Sequence, residues 1–119
     1  MSIIAKVLIA LVALEHVYFL VMEMFLWTTP RTRANFSMSV EQAENSMVLA
    51  MNQGLYNGFL AAGLFWSLVA PEGYARALAL FFLGCVLVAG IFGGFTASPR
   101  IWVGQALPAA VALAAVIFM

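Results

Sequence analysis

Apolar residues run almost unbroken through four stretches of this chain, Ile3 to Trp27, Ser46 to Val69, Ala77 to Phe95 and Ile101 to Met119, with short polar punctuation between them. Each approaches the roughly 20 residues that a helix needs to cross a ~30 Å hydrocarbon core. Trp27-Thr28-Thr29-Pro30 closes the first stretch, because the indole suits a membrane interface and the proline blocks continuation. The segment that follows, RTRANFSMS, is the longest polar stretch. Ser39 and Gln42 then have the spacing of a capping box, and Glu41 and Glu44 place negative charge where the helix dipole favours it. A second helix is therefore expected from Ser39 to Ala70, ahead of Pro71. At 1.5 Å per residue it would measure ~45 Å, so its first turns would protrude into water. The pattern as a whole predicts helices over 3–27, 39–70, 77–96 and 101–119, forming an all-α integral membrane four-helix bundle with up-down-up-down topology and a single domain over 1–119.

Composition narrows the class. The 119 residues are 66% apolar and 8% charged, with a mean hydropathy of +1.06, which a water-soluble domain of this size does not carry on its surface. The lipid bilayer is the expected partner. Net charge is zero and the five basic residues form no cluster, so nucleic acid is not. Lys6 and Arg76 fall on one side of the expected bundle and Arg31, Arg33 and Arg100 on the other, a bias that leans toward both termini outside the cytoplasm and also permits dual insertion. The first apolar run is expected to stay in the mature protein, because acid and imidazole interrupt it and TTPRTR lacks a small-residue cleavage pattern. Cys85 and the methionines at 22, 24, 47 and 51 have the character of packing residues.

Three ionisable groups inside the first run carry the chemistry. An ionisable side chain at mid-bilayer costs roughly 2.5–3.5 kcal/mol on insertion scales, so Glu15, His16 and Glu23 together mark an intramembrane site. His16 and Glu23 are seven residues apart and fall within ~20° of one another around a helix. On the second helix the same geometry groups Gln53, Tyr56 and Asn57 on one side, with Asn52 at its edge and Gly54 and Gly58 facing away. An amide face toward the bundle interior and a glycine face for close helix contact are expected. Pairing Trp27 with Ser46 in an antiparallel arrangement sets Glu23 near Ala50 to Gln53 and His16 near Asn57. Gln105 and Thr96 approach from the same end. Glu23, His16 and Glu15 are the candidate catalytic groups, and Asn52, Gln53, Asn57, Tyr56, Gln105 and Trp27 the candidate ligand-binding ones. A purely structural network is the competing explanation, but polar contacts between membrane helices average only ~0.6 kcal/mol, a small return for two acids and a histidine in lipid. With a single His and no Glu-x-x-His motif, neither a metal nor a cofactor is called for. Gly54 and Gly58, or Gly90 and Gly94, are candidate homodimer faces.

The stretches LEHVYFLVMEMFLWTTP, NQGLYNGFLAAGLFW, FFLGCVLVAGIFG and QALPA, spanning nearly the whole chain, resemble the bacterial small-membrane-protein family catalogued as domain of unknown function 1304. The resemblance implies a multi-pass, four-helix protein of the bacterial inner membrane. It sets Glu15, His16, Glu23, Trp27, Asn52, Gln53 and Asn57 at the polar positions of those stretches. The family brings no established activity. From the residues, the first expectation is an intrabundle pocket that binds a small apolar or amphipathic molecule and performs acid-base chemistry on it, in the manner of membrane isomerases that act on lipid-like substrates. A proton-coupled small-molecule exporter acting as a dimer, with Glu15 or Glu23 as the proton carrier, is the alternative. A structural partner of a membrane complex is a third.

Overall fold

The computed structural model describes residues 1–119, and every regular element in it is helical. Helix α1 spans Ile3–Phe25, α2 Pro30–Asn35, α3 Val40–Asn45, α4 Met47–Val69 and α5 Glu72–Thr96; a π-helical turn over Trp102–Ala106 then leads into α6, Leu107–Phe118.

The boundaries follow local chemistry that apolar periodicity does not register. The Ser2 hydroxyl accepts the Ala5 amide at 3.1 Å, and α1 closes at Phe25, two residues short of the expected Trp27. The polar stretch after it is not irregular throughout. Thr29 caps α2 by accepting the Thr32 amide at 3.4 Å, and Pro30 occupies the first turn, where its missing N–H goes unmissed. Ser37, at φ 53°, turns the chain out of α2. Ser39 then makes the expected capping box: its hydroxyl accepts the Gln42 amide at 3.0 Å while the Gln42 side chain accepts the Ser39 amide at 2.9 Å.

The single helix expected from Ser39 to Ala70 is instead two, divided at Ser46. There the hydroxyl donates to the Gln42 carbonyl at 2.7 Å and the backbone sits at φ −102°, ψ 3°. A serine that bonds its own preceding turn competes with the helical ladder, and the ladder restarts one residue later. Helix α5 begins at Glu72 rather than near 77, because Pro71 holds the extended conformation of an N-cap and Glu72 in the first turn complements the dipole. Its polar first turn is invisible to a search for apolar runs. The expected 101–119 helix opens as a π-turn. Pro108 has no N–H to offer the preceding turn, and the Leu107 amide bonds back to the Trp102 carbonyl, five residues away.

The helices group into two compact units, one formed by residues 1–14 and 60–119, the other by 15–59. The core of the first is a set of helical stripes: Ala5, Ile9 and Val12 on α1, Leu64 on α4, Ala79, Leu83 and Val86 on α5, and Ala109, Ala112 and Val116 on α6. The alanines let α6 approach closely, as small residues do where apolar helices meet. Gly90 completes that approach, since a Cβ there would lie 2.6 Å from the Ala106 backbone nitrogen. Trp102 covers Gly94 and donates its indole N–H to the Ile91 carbonyl at 3.1 Å.

In the second unit the closing half of α1 runs antiparallel to the opening half of α4. Gly54 faces Leu20, Glu23 and Met24, and Gly58 faces Leu20. Beyond the end of α1, the Trp27 indole donates to Ser46 Oγ at 3.0 Å and packs on Phe36 with ring centroids 5.2 Å apart. Two helices, α1 and α5, are long and apolar enough to cross a membrane, with mean hydropathies of 2.1 and 2.4. Helix α4 has 23 residues but carries Asn52, Gln53 and Asn57, and the apolar helix over Trp102–Phe118 is shorter.

Candidate functional site

The acid-imidazole pair forms within one turn of α1. His16 is fully buried, and its ring meets Phe19 edge-on at 5.2 Å. Its Nδ1 stands 4.0 Å from Glu15 Oε1, and that oxygen is buried with no hydrogen bond. The Glu15 side chain as a whole is 27% exposed.

Glu23 has a different environment two turns further on. It accepts a hydrogen bond from Asn57 Nδ2, which bridges α1 to α4 beside the close contact at Gly54. Trp27 and Ser46 pair as the sequence suggests, yet the register counted inward from them is about one turn out: Asn57 lies opposite Glu23 rather than His16. Trp27 lies past the helix end, where the chain has left the axis and the long indole reaches back to Ser46. Counting at a helical rise from such a residue misplaces everything beyond it.

The faces of α4 are also reversed from expectation. Gly54 is the buried position, and Asn52, Gln53 and Tyr56 are exposed. The backbone can approach α1 only where no Cβ intervenes: a methyl on Gly54 would meet Met24 at 2.5 Å and the Leu20 carbonyl at 3.2 Å. Once glycine fixes the seam, Asn57 falls about 60° from Gly54 and joins it, while Asn52 and Tyr56 fall about 160° away. Tyr56 lies against Phe59 on that outer face, with ring centroids 6.2 Å apart. Gly54 and Gly58 face α1 within the chain, as Gly90 faces Ala106 and Gly94 faces Trp102. Gln105 lies half-buried in the π-turn, and the Thr96 hydroxyl donates to the Phe92 carbonyl at the end of α5. No three His, Cys, Asp or Glu side chains converge as metal ligands.

A feature that sequence reasoning missed is a cavity of about 200 Å³ between α1 and α2, with Tyr18, Met22 and Leu26 on one wall and Arg31, Thr32 and Asn35 on the other. The signal for α2 was present in Thr29-Pro30, a capping residue ahead of a proline suited to the first helical position.

Chemically, then, α1 presents two unlike carboxyls. One is bonded across to a neighbouring helix. The other keeps a buried oxygen that the chain does not satisfy, next to an imidazole.

No solved structure matches this chain. An uncharacterized protein, YpaA, of Lactococcus lactis subsp. lactis (strain IL1403) is 33% identical over 107 residues, covering 88% of this chain and 89% of the relative. The family model described as protein of unknown function (DUF1304) matches residues 10–117, and the chain belongs to that family.

Proposed function

We propose that this chain is a multi-pass protein of the bacterial inner membrane, its four long apolar segments crossing as an up-down-up-down bundle, in which Glu15 and His16 bind a small apolar or amphipathic molecule and exchange a proton with it. The membrane reading is supported by what α1 and α5 leave uncovered. Only 28% of the apolar window of each is buried, and Leu11, Phe81, Val88 and Phe92 are 56%, 63%, 66% and 67% exposed. The core helix of a water-soluble protein would have these side chains covered; in a bilayer they face lipid.

The observation that carries the site is Glu15 Oε1, buried and without a hydrogen bond beside His16. Leaving a buried acceptor unsatisfied costs about 1–3 kcal/mol, and more for a charged group. A polar group left in that state among apolar helices is a functional-site signature. A ligand hydroxyl, or a proton, satisfies the oxygen. With one group removing a proton from a substrate carbon and the other returning one elsewhere, an isomerisation balances without an external oxidant or reductant. Glu23 and Asn57 serve in this scheme as a brace that fixes α1 against α4.

The test is native mass spectrometry of the detergent-purified protein beside Glu15→Gln and Glu23→Gln. A small-molecule adduct is expected on the wild type and on Glu23→Gln, and its loss on Glu15→Gln. Absence of any adduct on the wild type, or equal retention by both variants, would contradict the assignment.

A further inference from the structure

We infer that the cavity between α1 and α2 is a second binding site, specific for a phosphate-bearing anion and filled in the cell by the headgroup of an anionic phospholipid. Its chemistry is one-sided. The hydroxyls on its floor are committed, since Thr29 Oγ1 donates to the Leu26 carbonyl at 2.7 Å and lies 3.1 Å from Thr32 Oγ1. Arg33, the neighbouring cation, is also engaged, its Nε donating to the Thr28 carbonyl at 3.2 Å. Arg31, Asn35 and Tyr18 line the cavity, and none of their side chains makes a hydrogen bond or ion pair within the chain. No carboxylate lines it. Three uncommitted donors, one of them a planar cation, select an anion with several acceptor oxygens.

Size and position refine the ligand. A volume of about 200 Å³ is below the ~300–1,000 Å³ of pockets that enclose a whole drug-sized molecule, so it takes a headgroup rather than a complete lipid. Met22 and Leu26 supply an apolar wall continuous with the exposed face of α1 at Tyr18, along which an acyl chain can lie. The cavity stands at the Trp27 end of α1, where Tyr, Trp and Arg belong at a membrane interface. Arg31 and Arg33 both follow the end of α1 here, and basic pockets between helices on the cytoplasmic side of a membrane meet anionic headgroups.

The source of the ligand rests on the membrane reading above; the site itself does not depend on Glu15 or His16, so the two proposals fail separately. The experiment is native mass spectrometry from nanodiscs containing equal phosphatidylglycerol and phosphatidylcholine, comparing wild type, Arg31→Gln and Arg100→Gln, which removes the same charge elsewhere. Wild type and Arg100→Gln are expected to retain phosphatidylglycerol over phosphatidylcholine, and Arg31→Gln to lose about fivefold of that preference, the factor expected for one basic residue at a membrane surface. Inorganic phosphate added as competitor distinguishes the sources. Failure to displace the lipid supports a headgroup site, while displacement at equal concentration would overturn the lipid assignment in favour of a free anion. Equal preference in wild type and Arg31→Gln, or an equal loss in Arg100→Gln, would overturn the site.

Discussion

Replacing Asn57 by leucine removes the one hydrogen bond made to Glu23 and leaves a half-buried carboxyl facing apolar side chains. In a soluble protein, orphaning such a group costs about 1–3 kcal/mol. Between membrane helices, measured polar contacts average only ~0.6 kcal/mol and reach ~1.7, because the helices find other partners when they separate. Glu23 is held within the seam that Gly54 brings to close contact, so the upper part of that range applies: a loss of about 1–1.7 kcal/mol is expected for Asn57→Leu. Glu23→Gln keeps an acceptor for the Asn57 amide and should cost under about 0.5 kcal/mol. The decisive variant is the double replacement Glu23→Leu with Asn57→Leu. Exchanging both partners for apolar groups is close to neutral in general, and it should recover most of the single-variant loss here. Equilibrium unfolding in mixed micelles, titrated with sodium dodecyl sulfate and followed by helical circular dichroism, measures all four states of the cycle. A coupling of at least about 1 kcal/mol is predicted. If the two single losses simply add, within the ~0.3–0.5 kcal/mol scatter of independent sites, the Glu23–Asn57 bond does not brace α1 against α4.

Gly90→Ala should destabilise by about 1–2 kcal/mol in the same assay, because its methyl would press on the Ala106 backbone. Gly73→Ala meets nothing within 4 Å and should be neutral or stabilise by up to ~1 kcal/mol. Ser39→Ala breaks the capping box and should cost about 0.5–2 kcal/mol locally, read as faster amide exchange over Val40–Asn45 with α4 unaffected. Trp27→Phe and Ser46→Ala share the loss of one hydrogen bond, so the pair should cost less than the sum of the two by about 0.5–1.5 kcal/mol.

The legible parts of this protein were those written in local sequence. Helical class, the break at Pro71 and the capping box at Ser39 all depend on residues near one another or on a single punctuating side chain. Chemistry of the candidate site was legible as residue types: Glu15, His16 and Glu23 stand out because they interrupt an otherwise apolar run. Direction was not. Placing the amides inward treated polarity as the property that decides which face of α4 meets α1, whereas backbone approach decides it, and Gly54 and Gly58 occupy that face. The residue pattern put Glu23, on the His16 stripe, ahead of Glu15 at its border, for a similar reason. Only the partner across the seam separates Glu23, bonded to Asn57, from Glu15, whose buried oxygen has no bond. Helix α2 was hidden by its polarity, and the π-turn by the distance between Pro108 and its effect at Trp102.

The difference between those two carboxyls is open to direct measurement. Membranes containing the protein would be treated with a lipid-soluble carbodiimide and, in parallel, a water-soluble one, and the modified glutamates located by peptide mass spectrometry. The expected result is modification of Glu15 by the lipid-soluble reagent alone, with Glu23 protected until Asn57→Leu releases it. Modification of Glu23 in preference to Glu15 in the wild type, or of Glu15 by the water-soluble reagent alone, would contradict an open intramembrane carboxyl at Glu15.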